Sequence, residues 1–188
     1  MKERPVLFSA PMVRAILEVR KTMTRRVMKL QPDDDGIVTV GQIGTSCGVA
    51  YVGNKTDGGL VTRVPCPYGQ PGDRLWVKET HILIDNRDGG RKILYRADAG
   101  EKVIHPGHGD DDWRGDSKWR PSIFMRREYS RITLEITNVR VERLQEISVV
   151  ACCDEGAPLD KSHAVETWFS ELWGSINGLG AWDKNPFV

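Results

Sequence analysis

The chain has 188 residues, 39% of them hydrophobic and 28% charged, with a formal net charge of +1. That is enough to bury one respectable core, and nothing in it requires more than a single domain. It contains no apolar run of about eighteen residues, and its start, Met1-Lys2-Glu3-Arg4-Pro5-Val6-Leu7-Phe8, is too short and too charged for a signal peptide, so it reads as a soluble cytoplasmic protein.

Ser9-Ala10-Pro11 opens a helix, with Ser9 able to cap free N–H groups and Pro11 tolerated in the first turn. Met12, Ala15, Ile16 and Val19 recur at helical spacing as a core-facing stripe, which carries the helix from Ala10 to Arg20 and ends it where Arg20 and Lys21 meet the negative end of its dipole. Thr22 to Met28 then reads as a strand. From Gln31 to Gly59 the short β-type runs Ile37–Val40 and Val49–Val52, separated by turn residues, predict a hairpin-like excursion. Arg74 to His81 is the next strand. Residues Asp85 to Gly115 form an Asp- and Gly-rich excursion holding one short strand, Lys92 to Arg96.

Ser130 to Arg143 alternates most clearly, with Ile132, Leu134 and Ile136 followed by Val139 and Val141 and a phase change near Asn138. Ser148 to Asp154 predicts a short helix closed by Gly156, and His163 to Ile176 a longer one with Val165, Trp168, Phe169, Leu172 and Ile176 inward. Antiparallel strands around one or two packed helices make an α+β class, and a small barrel is the natural way to bury it, with insertions at about 31–64 and 85–118.

Charge is concentrated near the first helix. From Arg14 to Lys29 the cations Arg14, Arg20, Lys21, Arg25, Arg26 and Lys29 face the single acid Glu18, and local positive charge of this kind focuses a field on phosphate. Like-charged neighbours and any burial would lower the pKa of Lys21, making it a candidate base or nucleophile; helix capping is the simpler role. A second set pairs aromatics with cations. Trp113-Arg114 and Trp119-Arg120 are polar-flanked and suit base stacking, whereas Trp76, Trp168 and Trp173 sit in apolar periodic segments and read as core. Arg126-Arg127 reads equally well as a solvated face. Cys47, Cys66, Cys152 and Cys153 lack C-x-x-C spacing and read as reduced structural thiols; His105 and His108 lie in a Gly/Pro loop that suits a metal cage poorly, so no metal or cofactor is expected.

Ile16 to Arg26, followed by Pro71-Gly72-Asp73-Arg74-Leu75-Trp76-Val77, resembles the ASCH family, small barrels related to the PUA domains that bind RNA. The longer run Cys66 to Thr80, with Trp119-Arg120-Pro121-Ser122, Arg131 to Glu135 and Ser175 to Gly178, is similar to a phage- and prophage-encoded branch of it. The resemblance implies a PUA-like barrel with a basic cleft for RNA or a modified nucleotide, centred on Lys21, Thr24, Arg25 and Arg26; the charge cluster and the polar-flanked aromatics add Arg20, Trp113, Trp119 and Arg120 as expected nucleic-acid contacts. In family members that deacetylate 4-acetylcytidine, the matching catalytic residues would be Lys21, Thr24 and, by a looser match, Glu155. Convergence of Lys21 and Thr24 requires Lys21 to lie in the turn before the strand. A hydrolase, either amidohydrolase or ribonuclease, is therefore the first alternative to a binder, and a phage protein-interaction module the second.

Three positions depart from the family pattern. Val19 stands where Gly is more usual, Phe124-Met125-Arg126 replaces a His and a Pro, and the sequence ends at Asn185-Pro186-Phe187-Val188, where a closing apolar strand is expected.

Overall fold

A computed structural model describes residues 1–31, 36–40, 49–54, 62–85, 91–99, 114–115, 118–158 and 164–188. Two compact units divide the chain, one formed by Met1–Leu17 with Arg74–Glu135, the other by Glu18–Asp73 with Ile136–Val188.

In the first unit, β1 (Glu3–Leu7) runs parallel to β5 (Arg74–Lys78), and β5 pairs antiparallel with β9 (Thr133–Glu135). The ladder sets Leu75 opposite Leu134, and Val77 N–H reaches Ile132 O at 3.0 Å. A second sheet places β6 (His81–Asp85) between β7 (Arg91–Tyr95) and β8 (Arg114–Gly115). Helix α1 (Ala10–Leu17) begins where Val13 N–H bonds to Ser9 O at 3.0 Å. Val6, Phe8, Val13, Leu75, Val77, Ile82, Ile84, Met125 and Ile132 are buried here.

Among the described residues of this unit, a carboxylate lies inside the core. Glu79 is buried and receives Arg131 through two bonds of 3.0 and 2.9 Å, while the same guanidinium holds Asp98 and stacks 3.9 Å from the Tyr95 ring centroid. A buried carboxylate needs a cation and hydrogen-bond donors beside it, and the bidentate guanidinium supplies both. Trp76, expected in the core, is half-buried with Lys78 and Arg127 over its ring.

The second unit contains the expected hairpin. Strands β2 (Gly36–Val40) and β3 (Val49–Asn54) pair antiparallel, and β4 (Thr62–Pro65) adds to β3. Its helical part is α2 (Val149–Asp154), capped by the Ser148 hydroxyl on Ala151 N–H and closed at Gly156 with φ 98°, and α3 (Val165–Asn177). Leu144, Ile147, Ala151, Cys152, Phe169 and Trp173 form its core, with Met23, Trp168 and Trp182 packed against it.

The α+β class is observed. Among the described residues the strands form three separate three-stranded sheets and close into no barrel, and no helix is long and apolar enough to cross a membrane.

Several boundaries differ from those the sequence predicts. Helix α1 stops at Leu17 rather than Arg20, its buried face is Val13 and Ala15, and Val19, expected inward, is 80% exposed. The long strand expected over 130–143 is reduced to Thr133–Glu135. Beyond Ile136 the backbone turns to the C-terminal residues instead, with Glu142 and Val188 exchanging N–H···O bonds of 3.2 and 3.0 Å and Leu144 N–H reaching Pro186 O at 3.0 Å. In α3, Trp173 occupies the core and Ile176, expected inward, is half exposed.

Val19 has φ 58°, a left-handed conformation that a β-branched residue adopts only under strain. Replacing it by Gly removes a penalty of about 1–3 kcal/mol and adds a backbone-entropy cost of about 0.5–1 kcal/mol. Val19→Gly is therefore expected to raise the urea-unfolding stability by about 1 kcal/mol; a loss of stability would show that the turn is unstrained.

Candidate functional site

The candidate site lies in the second unit, where residues 20–25 run past the end of α2. The last carbonyls of a helix have no partner within it, and here the incoming segment supplies donors. Thr22 N–H and Met23 N–H both bond to Asp154 O, at 2.8 and 2.9 Å, the Thr22 hydroxyl reaches Asp154 Oδ1 at 3.1 Å, and Arg20 Nη1 donates to Gly156 O at 2.8 Å. Two consecutive N–H groups sharing one carbonyl cannot continue a β ladder, which alternates its bonds along the strand. The strand expected over Thr22 to Met28 is accordingly absent, and only an isolated antiparallel bridge joins Lys21 to Glu155.

That bridge sets two charged side chains against each other out of water. Lys21 Nζ donates to Glu155 Oε2 at 2.6 Å, to Glu155 O at 3.0 Å and to Met23 O at 2.7 Å, so three acceptors meet the three protons of the ammonium. The side chains are 2% and 4% exposed. Arg25 completes the cluster. Its Nη1 lies 3.3 Å from Glu155 Oε1, its Nη2 donates to Glu142 Oε2 at 3.0 Å, and its guanidinium sits 6.0 Å from the Phe169 ring centroid. Arg140 binds Glu142 from the outside at 2.7 Å. The Met23 thioether lies between the two guanidinium groups, 3.5 Å from Arg25 and 3.4 Å from Arg140.

Burial lowers the pKa of Lys21 below the usual lysine value. Glu155 opposes the shift by its charge and hydrogen bond, while Arg26 and Arg25 add to it. The arrangement holds an ammonium and a carboxylate at proton-transfer distance, and every proton of that ammonium is also tied to the backbone or to Glu155.

Of the residues singled out from the sequence, Lys21, Glu155 and Arg25 come together, the first two from positions 134 apart. Lys21, expected in a turn before a strand, lies two residues past the Glu18–Val19 turn, in the isolated bridge to Glu155. Thr24, assigned a place beside them by resemblance, has an exposed side chain, unlike the buried pair. Arg25, expected in an open basic cleft, has a side chain only 6% exposed. Arg20 is partly exposed and pairs with Glu18, and Arg26 is half-buried. Trp119 and Arg120 belong to the first unit. Trp119 is half-buried with the Arg96 guanidinium 5.1 Å from its ring centroid, and Arg120 is exposed, its backbone bridged to His81. Trp113, His105, His108 and Cys47 lie outside the described residues.

Sequence reasoning missed Glu142, Arg140, Met23 and Asp154. A signal existed for the first two, since Arg140 and Glu142 are the polar alternates of the run Val139, Val141, Arg143 and so share one side of it. Comparison of the chain with protein-family models, with curated proteins and with solved structures returned no match.

Removing one partner of a buried pair strands the other, at a cost of about 3–5 kcal/mol. Glu155→Ala leaves both Lys21 and Arg25 without this carboxylate, and a loss of that size is expected in urea unfolding; a loss below about 1 kcal/mol would mean that water already screens the cluster.

Burial also pushes the Cys152 thiol up to about 11, with the Glu166 charge adding to the effect. At pH 8, iodoacetamide treatment of the native protein followed by peptide mapping is expected to label the half-buried Cys153 ahead of Cys152; equal labelling would contradict the burial of Cys152.

Proposed function

We propose that the chain is an ASCH-type, PUA-like barrel protein that binds RNA or a modified nucleotide along the basic segment Arg20 to Lys29. The observation that carries this reading is the buried Lys21–Glu155 contact. It joins two residues that the resemblance assigns to the catalytic site of the deacetylating members, and with Arg25 it pins a cationic segment to the end of α2. Thr24 and Lys29 are exposed on that segment, so a hydroxyl and an ammonium donor stand next to a fixed backbone. Fixed donors lose less freedom on binding a phosphate or a base than mobile ones do.

A second reading, hydrolysis of an acylated nucleoside, is favoured by the 2.6 Å separation of Lys21 Nζ from Glu155 Oε2, within the range for general acid–base transfer. In it Lys21, its pKa lowered by burial, would act as base and Glu155 would shuttle the proton, with Thr24 positioning the substrate. Binding stands ahead of it because the ammonium is saturated with acceptors and Thr24 lies at the surface.

Purified protein incubated with labelled single-stranded RNA and, separately, with 4-acetylcytidine, each with and without magnesium or manganese, separates the readings. The expected result is an RNA complex whose salt dependence falls by about 0.7 per lost phosphate contact in Arg26→Ala/Lys29→Ala. An unchanged slope in the folded double variant removes this segment from the binding surface. Deacetylation that disappears in Lys21→Met would establish the hydrolase instead.

A further inference from the structure

The first unit carries an aromatic side chain in an unusual setting. Phe124 and its neighbour Ile123 are 70% and 59% exposed, on a single 3-10 turn over Ser122–Phe124. The turn is not loosely attached. Phe124 N–H bonds to Pro121 O and Met125 N–H to Ser122 O, both at 3.0 Å, while the Lys78 ammonium donates to Ile123 O. Directly after it, the Met125 side chain is 2% exposed and its Sδ accepts Glu79 N–H at 3.2 Å. A second 3-10 turn follows at Arg127–Tyr129, where Tyr129 O accepts the Tyr95 hydroxyl at 2.9 Å. A buried methionine and two closed turns thus hold two large apolar side chains outward.

In the chain from Lys118 through this turn, cations outnumber acids. Between residues 118 and 128 stand Lys118, Arg120, Arg126 and Arg127 against the single acid Glu128. Arg127 is committed to Glu3 at 3.0 Å and to the face of Trp76. Lys118 is exposed, and the Arg126 side chain is 76% exposed, 3.6 Å from a Glu128 that is itself largely in water. An exposed ion pair of that length contributes little, so Arg126 is available to another anion.

We infer that Phe124 with Arg126 forms a single-strand nucleic-acid contact, in which an unpaired base stacks on the Phe124 ring and Arg126 and Lys118 hold the adjoining phosphates. Every base has a π-face, so a rigid exposed ring beside cations binds unpaired nucleotides with little sequence preference. The cations flanking the ring favour a polyanionic strand over an apolar protein surface, and only a base demands the flat face of the ring. The inference takes its ligand class from the RNA reading above but rests on different residues in the other unit.

The test is fluorescence anisotropy of the full-length protein with a labelled fifteen-nucleotide oligouridine, between about 50 and 200 mM salt. Phe124→Ala is expected to weaken binding about ten-fold or more without changing the salt slope, Phe124→Leu to behave like Phe124→Ala, and Arg126→Ala to lower the slope by about 0.7. Unchanged melting curves are the fold control, since the substituted side chains are exposed. Binding by Phe124→Ala equal to that of the unaltered protein overturns the stacking role while leaving the Arg20 to Lys29 reading intact. Full binding by Phe124→Leu would also overturn it, because only apolar contact would then be needed. If the unaltered protein binds no oligouridine, the stacking contact is overturned, while the Arg20 to Lys29 reading stands or falls on its own RNA and nucleoside assays.

Discussion

Placing a lysine ammonium out of water costs several kcal/mol unless a carboxylate and further acceptors accompany it. Lys21 meets that condition only where Glu155 ends α2, and the rest of the candidate site follows from this requirement. Lys21 needs the Glu155 side chain, the Glu155 carbonyl and the Met23 carbonyl at once. The chain must therefore turn sharply after α1, which Val19 accomplishes in a left-handed conformation, and must then lie against the helix end, which the shared Asp154 carbonyl enforces. Arg25 is drawn in by the second oxygen of Glu155 and brings Glu142 with it.

The first unit meets the same problem with a different solution. Glu79 is as deeply buried, but Arg131 answers it with a planar bidentate fork shared with Asp98 and covered by Tyr95. Its partners saturate one another, which makes it a fixture of the fold. The Lys21 cluster differs in that exposed Thr24 and Lys29 stand on the very segment it anchors. That adjacency of a rigid charged base and outward donors is what gives the cluster a functional reading.

What could be read in the sequence was governed by local chemistry. The helix start at Ser9, the cap at Ser148, the stop at Gly156, the β2–β3 hairpin and the β5 strand depend on residues within a few positions of one another, and all are observed. The pairing of Lys21 with Glu155 was reached through resemblance, since no periodicity links residues 134 positions apart. Features decided by distant partners were not legible. Thr22 to Met28 has the composition of a strand, but its first two N–H groups are claimed by Asp154 O and the N–H of Met28 by Phe187 O. The alternation from Ser130 to Arg143 is real, yet it serves β5 up to Ile136 and the C-terminal residues beyond it. Charge counting likewise predicted an open basic cleft, because it registered Arg25 and Lys21 and overlooked Glu142, which neutralises Arg25 from a segment more than a hundred residues away.

The central claim is that the Lys21–Glu155 contact anchors the cationic segment to α2. Amide hydrogen exchange measures this directly, because the Thr22 and Met23 N–H groups point at Asp154 O only while the segment is docked. Both amides are expected to be protected in the unaltered protein and to lose at least about ten-fold in protection in Glu155→Gln, with the Val77 amide of the first unit unchanged. Equal protection of Thr22 and Met23 in the two proteins would show that the segment is held by its backbone bonds alone, and that the buried pair anchors nothing.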